Sequence, residues 1–586
     1  AVLLAVLAVT ARWWQRTAPR GLYDFPRPAM PRWFIALTLL AMLVCAVFGV
    51  MRLQHSFWDD EVYAMRRSIY GQWKTADDGT PKFRPVKWTE TFFFFEKPQH
   101  VLHSIVTRLT LDAWRAVARP QGLKFREDVV RIPSYLAGIL SVGALALLLW
   151  RLGFPAAGVI AAFLLVLHPW HIRYASELRA YSFMLAALPL SYLFLIEALT
   201  TGLWRWWLAY AAGLFLFMYS NALNIYPALG LGLCGFAAVL MPWRDPRAPV
   251  QIMRFAVATL LAGMAFFQLM LPCVPQFLNY LHGSAVRGPM GLAWLSNYFS
   301  LLLAGIPWNP TRHPVSIYLE LYPRVVRHPE VFIGLVVLVL FLFSLGTRRL
   351  CLKGRLQTLV SLALLLPAPI AYAISRARDQ HLFEWYLLFL LPGAIAVIAL
   401  GLDAWRQNLA RRKAGTITGI LLVAGLIGVY VCLTAPQRTW LLTRPLQQIR
   451  ESVEITRPTL DPLARENIKI LTASFIGPPD PYDPAVIRFT SVRTLADLMS
   501  RADAEKKTLF LNFGFLITAQ IRYPTLLKMI EDPALFEKVA ELQGFEPIND
   551  RFVYRYKSGS AASRSLTEEF RPAPETEIIE NRYDAE

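Results

Sequence analysis

Three acidic residues in a row follow the first long apolar run of the chain. They belong to Trp58-Asp59-Asp60-Glu61, and the apolar run before them covers residues 33–51. A charged group at a membrane boundary is costly to place, so a function or a charged partner is expected for it. A carboxylate there can act as a general base that removes a proton from a hydroxyl group. The alternative is a surface loop that carries acidic residues without a function.

Two segments carry cations suited to phosphate. Lys97 lies in Glu96-Lys97-Pro98-Gln99-His100, after the aromatic run Phe92–Phe95, and its ammonium group can contact a phosphate as a point charge. The alternative is a lysine that extends to a membrane interface. Arg179 lies in His168–Tyr181, a short connection between two apolar runs. Its guanidinium suits a bidentate contact with phosphate oxygens, and an arginine–glutamate ion pair at a helix end is the alternative.

A fourth charged segment covers Ser375–His381 and contains Arg376 and Arg378. It is a short connection on the same side of the membrane as the other three, if the apolar runs alternate in direction. Arginines outside the cytoplasm run against the usual distribution of positive charge, so these two are informative. Solvated surface charges are the alternative.

The elements that must position these residues are apolar helices. Of 586 residues, 55% are hydrophobic and 17% are charged, whereas soluble domains carry roughly 25% charged residues. A disordered chain is excluded and a purely soluble enzyme nearly so. A spanning helix needs about 20 apolar residues, and about eleven runs qualify. They cover residues 33–51, 132–150, 155–170, 181–199, 206–222, 223–241, 255–273, 331–346, 357–374, 384–402 and 416–434. Residues 1–14 are expected to be a partial span rather than a signal peptide.

Basic residues in the connections predict the orientation. Arginine and lysine are frequent in residues 12–32, 242–254, 347–355 and 403–413, and alternation of the spans puts all four segments on the cytoplasmic side. The net charge of +19 is therefore read as a topology signal, and no nucleic-acid partner is expected. The longer segments 52–131 and 274–330 and the tail lie on the outer side, together with the four charged clusters.

The sequence predicts three regions. Residues 1–434 form the membrane domain, with the acidic motif in outer loop 52–131 and an interfacial or embedded helix at Leu292–Ile306 in outer loop 274–330. Residues 435–557 form a small extracytoplasmic α/β domain, and residues 558–586 are expected to be disordered. In the α/β domain, strands are predicted at 466–476, 508–513 and 551–557, and helices at 493–503 and 524–541.

Together the clusters indicate group transfer from a phosphate-linked donor in the membrane. The carboxylate would activate an acceptor hydroxyl, and the cations would stabilise the departing phosphate. The chain has neither a GxxxxGK[ST] motif nor a GxGxxG motif after a strand, so a nucleotide donor is not expected.

Several motifs resemble those of one superfamily, the GT-C glycosyltransferases that use polyprenyl-phosphate sugars. The likeness is greatest to bacterial protein mannosyltransferase-like proteins and lipid A aminoarabinose transferase-like proteins. The matching segments are Asp60-Glu61-Val62-Tyr63, Glu96-Lys97-Pro98, Arg131-Ile132-Pro133-Ser134 before a span, and His168–Tyr181, which is similar to a Y-x-x-E-x-R-x-Y signature. The likeness covers about residues 33–200. The implied fold is a polytopic α-helical membrane protein of about 11–12 spans with a small C-terminal α/β domain.

The resemblance also implies a role for each candidate residue. Asp60 would be the base or orient the acceptor, Glu61 would support it, and Lys97 and Arg179 would bind the donor phosphate. The supporting residues are Tyr63, Glu96, His171, Glu177, Tyr181, Arg376 and Arg378. The last two are included because this chain has Glu384-Trp385-Tyr386 where relatives have Arg-Tyr.

The expected partners are the bilayer, a polyprenyl-phosphate-linked sugar, and an acceptor that is a lipid, a polysaccharide or a protein. No cofactor is assigned, and a divalent metal held by Glu61 or Glu96 stays open. The expected location is the cytoplasmic membrane, with the active site and the C-terminal domain on its outer side. Two other functions stay open: a transporter or flippase of lipid-linked intermediates, and a non-catalytic relative. A transporter would favour inverted repeats and charges near the midplane, and neither is evident in the sequence.

Overall fold

A computed structural model describes most of the chain in two compact units. The described residues are 9–10, 21–24, 27–75, 81–94, 100–120, 124–279, 290–308, 321–411, 415–457, 469–479, 481–483, 485–560 and 566–570. The first unit comprises residues 1–51, 92–106 and 131–439, and the second comprises residues 52–91, 107–130 and 440–586. The second unit therefore combines the segment that holds the acidic motif with the end of the chain.

The first unit is helical. Its α-helices are Arg32–Leu53, Glu127–Arg151, Pro155–Leu167, Pro169–Tyr174, Tyr181–Thr201, Trp204–Ser220, Ile225–Leu240, Ala248–Met270, Val274–Asn279, Leu292–Ala304, Tyr322–Arg327, Pro329–Lys353, Arg355–Leu365, Pro367–Ala377, Leu391–Ala410, Gly415–Leu433 and Ala435–Thr443. Short 3₁₀ segments at Ala222–Asn224, Leu271–Cys273 and Glu384–Leu390 join some of them. Each run predicted from about 33 to 434 coincides with one of these helices or with a pair.

The chain is a polytopic membrane protein. Within the described residues, nine helical stretches are long and apolar enough to cross a bilayer. The predicted span 155–170 is shorter, since its helix covers only Pro155–Leu167. The predicted span 357–374 is broken between Leu365 and Pro367, where the proline ring cannot continue the hydrogen-bond ladder. The predicted partial span 1–14 lies outside the described residues except for residues 9–10.

Burial separates central from peripheral helices. In the most apolar window of Glu384–Ala410, 89% of the residues are buried, whereas in that of Pro329–Lys353 the share is 11%. These two helices approach closely at two glycines. A Cβ atom on Gly346 would lie 1.9 Å from the carbonyl oxygen of Val397, and one on Gly401 would lie 2.0 Å from that of Leu342. Small residues at such a crossing let two backbones pack in an apolar environment.

The connection between two central helices is folded tightly. Helix Pro155–Leu167 ends at His168, and Pro169 then starts the short helix Pro169–Tyr174, where a missing N–H costs nothing. Residues 175–180 turn into helix Tyr181–Thr201. A Cβ atom on Gly138 would lie 2.6 Å from the Cβ atom of Ala175, so helix Glu127–Arg151 supports this connection at close range.

The second unit contains all the strands among the described residues. Strands β1 (Gly71–Thr75) and β2 (Pro81–Pro85) form an antiparallel hairpin, and a five-stranded sheet combines β3 (Ile470–Ser474), β4 (Ile487–Arg488), β5 (Thr508–Gly514), β6 (Phe536–Leu542) and β7 (Arg551–Tyr556). Its helices are Asp59–Ala64, the π-helical turn Met65–Ile69, Trp88–Phe93, Val101–Ala118, Ile449–Thr456, Val492–Ala504, Leu516–Arg522, Pro524–Ile530, the 3₁₀ turn Pro547–Asn549, and Leu566–Glu569. Trp88–Phe93 and Val101–Ala118 extend into the first unit.

The five-stranded sheet is mixed, in the order β4-β3-β5-β7-β6. Strand β3 pairs in parallel with β4 and β5, and β7 pairs antiparallel with β5 and β6. Helix Val492–Ala504 packs its apolar residues Leu495 and Met499 into the core of this domain. A small C-terminal α/β domain is therefore present, as the sequence predicts.

Two predictions for the tail are wrong in part. The predicted helix 524–541 ends at Ile530, and Phe536–Leu542 is the edge strand β6. In the segment expected to be disordered, Leu566–Glu569 is helical, and Leu566 and Phe570 are buried in the domain core. Residues 561–565 and 571–586 lie outside the described residues.

Candidate active site

The acidic motif forms the first turn of a short helix in the second unit. The helix covers Asp59–Ala64, and all three acidic residues lie in its first turn, where the helix dipole favours negative charge. Asp60 and Tyr63 are half-buried and, three residues apart, lie on the same face of the helix. Glu61 is fully buried, and its Oε2 atom accepts a hydrogen bond of 3.2 Å from the backbone N–H of Trp58. The side chain of Asp60 is thus partly accessible, whereas Glu61 caps the helix.

Glu61 and Glu96 are the two carboxylates for which the sequence leaves a metal role open. The carboxylate of Glu61 is engaged at the helix N-terminus, and within the described residues no group of three or more His, Cys, Asp or Glu side chains is placed to hold an ion. Glu96 lies outside the described residues.

Arg179 belongs to a separate cluster in the first unit. It is half-buried, and its guanidinium carbon lies 5.8 Å from the centre of the Tyr181 ring. The ring of Tyr181 packs edge-on against His100 at 5.1 Å. Burial and the positive charge of Arg179 lower the pKa of both His100 and His103, that of His103 to about 3. Both imidazoles are therefore neutral near pH 7, next to a cation.

A hydrogen-bond chain joins these groups to the backbone of Arg179. The hydroxyl of Ser134 donates to the carbonyl oxygen of Arg179 at 3.1 Å, so its oxygen is free to accept from Nε2–H of His103 at 2.8 Å. On the other side of the cluster, Nδ1 of His100 lies 3.3 Å from the carbonyl oxygen of Ser220. Hydrogen bonds from neutral side chains thus hold the backbone at Arg179.

His100, His103 and Ser134 were not among the residues proposed from the sequence. One signal was present, because His100 and His103 are three residues apart at the start of an amphipathic helix and therefore share a face. Their meeting with Ser134 and Arg179 joins three distant segments of the chain, which no local spacing reveals.

Two other predicted residues have buried partners in the first unit. The Oε1 atom of Glu177 accepts from Nε of Arg173 at 2.9 Å, and both side chains are almost fully buried. Nε2 of His171 contacts the hydroxyl of Ser141 at 2.9 Å. Glu177 therefore forms a buried ion pair with Arg173, four residues earlier in the same connection.

The two remaining candidates that the structure describes, Arg376 and Arg378, lie at the end of another helix. Arg376 and Arg378 are exposed at the end of helix Pro367–Ala377, and Nη1 of Arg376 donates to the hydroxyl of Tyr372 at 3.2 Å. Lys97 and Glu96 fall outside the described residues.

Comparison with known proteins gives matches among solved structures only. No family model matches the chain, and no curated protein matches it. ArnT from Cupriavidus metallidurans in the apo state is 14% identical, over 91% of this chain and 99% of ArnT, with a TM-score of 0.46. AglB from Archaeoglobus fulgidus, in complex with an inhibitory peptide and a dolichol-phosphate, is 10% identical over 90% of this chain and 74% of AglB (TM-score 0.44).

The mycobacterial arabinofuranosyltransferase AftD is 13% identical over 92% of this chain and 41% of AftD, with a TM-score of 0.45. Two of these structures are described as an oligosaccharyltransferase, AglB, and an arabinofuranosyltransferase, AftD. At identities this low, the roles proposed below rest on the residues of this chain.

Proposed function

We propose that this protein is a glycosyltransferase that moves a sugar from a polyprenyl-phosphate donor to an acceptor, which is a lipid, a polysaccharide or a protein. It acts on the outer face of the cytoplasmic membrane, an orientation supported by the arginine and lysine residues of the inner connections. Asp60 is the base, and Arg179, with Lys97, binds the donor phosphate.

The proposed reaction is a single displacement. Asp60 takes the proton of an acceptor hydroxyl, whose oxygen forms a bond to the anomeric carbon of the sugar. The bond from that carbon to the phosphate oxygen breaks, and the electron pair leaves with polyprenyl phosphate. Arg179 stabilises the negative charge that develops on this leaving group. One displacement inverts the configuration at the anomeric carbon.

The observation that carries the proposal is the environment of Arg179. The ring of Tyr181 lies beside its guanidinium, and the charge of Arg179 helps to lower the pKa of the buried His100 and His103. A half-buried cation is screened less than one in water, so it attracts an anion more strongly. A phosphate ester of a membrane lipid is an anion of the size and charge that such a site favours.

The first experiment replaces Arg179. Membranes that contain Arg179→Gln are given a radiolabelled polyprenyl-phosphate sugar, and transfer to endogenous acceptors is measured. We expect kcat/KM for the donor to fall by about 10²- to 10³-fold, the loss seen when one stabilising donor is removed from a transition state. Arg205→Gln is the matched control, because Arg205 also lies over a neighbouring aromatic ring, at 5.5 Å, but is exposed. Equal activity in the two variants would contradict the assignment of Arg179.

The second experiment replaces Asp60. We expect Asp60→Asn to lower kcat by about 10²- to 10⁴-fold, the usual contribution of a general base, with the protein still folded. Asp112→Asn is the control, since Asp112 lies in the same unit but pairs with arginines on an exposed helix surface. Labelled lipid that crosses the membrane with its sugar–phosphate bond intact, in both variants and wild type, would instead favour a transporter.

A further inference from the structure

The segment that leads into the acidic helix is held by Gln447 and Tyr482, which follow it in the sequence by 391 and 425 residues. The hydroxyl of Ser56 donates to the carbonyl oxygen of Gln447 at 2.6 Å. The backbone N–H of Phe57 donates to the hydroxyl of Tyr482 at 2.9 Å, and that of Asp59 donates to Oε1 of Gln447 at 3.1 Å. All these residues belong to the second unit, so the C-terminal domain fixes the backbone that enters the helix.

Arg551 adds a charge to this arrangement. Its side chain is completely buried and donates to Ser452 Oγ at 3.1 Å, to the carbonyl oxygen of Gly477 at 2.9 Å and to Oδ1 of Asn512 at 2.6 Å. These three acceptors are neutral. Burial lowers the pKa of Arg551 to about 9, and the negative charge of Asp59 opposes that shift. A Cβ atom on Gly514 would lie 3.6 Å from Nη1 of Arg551 and 3.2 Å from Nε2 of Gln447, so the charge of Arg551 lies near the side chain that accepts from the N–H of Asp59.

Arg551 lies at the switch point of the five-stranded sheet. Strands β3 and β5 are parallel neighbours, while the chain leaves β3 towards β4 on one side and returns to β5 on the other. Such a switch point opens a crevice at the carboxyl ends of the strands, where α/β domains bind ligands. Arg551 starts β7 opposite Gly514, the last residue of β5. A Cβ atom on Gly514 would lie 3.2 Å from Nε2 of Gln447, so Gln447 extends from this edge of the sheet to Asp59.

We propose that Gln447 and Arg551 are positioning residues of the transfer reaction, which hold the carboxylate of Asp60 in place through the start of its helix. The switch point of the C-terminal domain, in this view, holds a catalytic segment of the same chain instead of a free ligand. The proposal rests on the proposed function, because it gives the C-terminal domain a role in the step that Asp60 carries out.

A positioning role predicts a particular kinetic change. A shift of about 1 Å in a reacting group can cost about 10²-fold in rate. A loss confined to the transition state lowers kcat and leaves the donor KM unchanged. A merely structural role would instead reduce activity in proportion to the amount of folded protein.

The test uses two variants of the full-length protein in membranes. Gln447→Met keeps the length of the side chain and removes the acceptor for Asp59, and Arg551→Lys keeps the charge and removes the three-way hydrogen bonding. Arg555→Lys is the matched control, because Arg555 lies in the same strand but pairs at the surface with Glu537 at 2.6 Å. Donor KM, kcat and the amount of folded protein are measured for each.

We expect kcat to fall by about 10- to 100-fold in Gln447→Met and Arg551→Lys, with an unchanged donor KM, while Arg555→Lys matches wild type. An unchanged kcat per folded molecule in Gln447→Met would overturn the proposal, even where Arg551→Lys fails to accumulate. Asp60→Asn in the same preparation separates the two ideas. If that variant stays active the proposed base is wrong, and if it is inactive while Gln447→Met is normal only the positioning role fails.

Discussion

Acid should destabilise this protein through a buried histidine. His103 is fully buried and lies outside the helices that span the membrane, and burial and the charge of Arg179 lower its pKa from 6.5 to about 3. As the pH falls below 6.5, the unfolded chain takes up a proton at this position and the folded protein does not. The stabilising contribution of neutral His103 is therefore complete above pH 6.5 and is lost as the pH falls towards 3.

The size of the effect follows from the shift. Each pH unit between the two pKa values costs about 1.4 kcal/mol for one group. Lowering the pH from 7.5 to 5 should therefore remove about 2 kcal/mol of the free energy of unfolding through His103 alone. His103→Gln keeps a donor for Ser134 and cannot titrate, so this share of the acid sensitivity should disappear.

The assay is reversible unfolding by denaturant in detergent micelles, followed by tryptophan fluorescence at both pH values. Wild type should lose about 2 kcal/mol more than His103→Gln between pH 7.5 and pH 5. The control is His328→Gln, at an exposed histidine, which should behave as wild type. The same acid sensitivity in wild type and His103→Gln would refute the reasoning, because it would mean that His103 accepts a proton in the folded protein.

Three other predictions concern local contacts. Removing one partner of the buried pair Arg173–Glu177, as in Glu177→Gln, should cost about 3 to 5 kcal/mol of unfolding free energy, whereas replacing both by apolar residues should cost less and keep transfer activity; inactivity of the folded double variant would show that Glu177 acts on substrate. Ser134→Ala leaves a buried imidazole N–H without its acceptor, so denaturation should show a loss of about 1 to 3 kcal/mol, and an unchanged stability would contradict the hydrogen-bond chain. Gly477→Ala puts a Cβ atom 2.8 Å from a phenylalanine ring at a φ of 57°, so it should destabilise the C-terminal domain more than Gly559→Ala, where φ is also positive but no atom lies within 4 Å.

Hydropathy predicted the membrane-spanning helices well because a bilayer sets simple requirements for a helix that crosses it. A helix in a bilayer must satisfy its backbone internally and present about 20 apolar residues, and both properties are local in sequence. The break between Leu365 and Pro367 changed one span without hiding it.

The C-terminal domain shows where local signals fail. Residues 536–542 read Phe-Glu-Lys-Val-Ala-Glu-Leu, and most of these are good helix formers. In the structure the same residues form the edge strand β6, with a bulge between Lys538 and Ala540, because pairing with β7 outweighs the intrinsic preference.

The candidate site was predictable only in its separate parts. The acidic triplet and Arg179 are visible as charges beside apolar runs. The roles of His103 and Ser134 depend on a meeting of segments that are far apart in sequence, and the roles of Gln447 and Arg551 depend on the return of the chain to residues 56–59. Neither follows from composition or spacing.

The contacts between residues 56–59 and the C-terminal domain also set an order of events during synthesis. Asp60 leaves the ribosome before Arg551, which follows about 490 residues later, roughly 25 to 100 s at ordinary rates of translation. Until then the start of the acidic helix lacks its contacts with Gln447, and the membrane helices are already made. A nascent or truncated chain that ends before residue 440 therefore has its spans, its Arg179 cluster and all three acidic residues, but it lacks the contacts of Gln447 and Tyr482 with residues 56–59. If the proposed positioning role is right, transfer activity would begin only after residues 440–556 have folded.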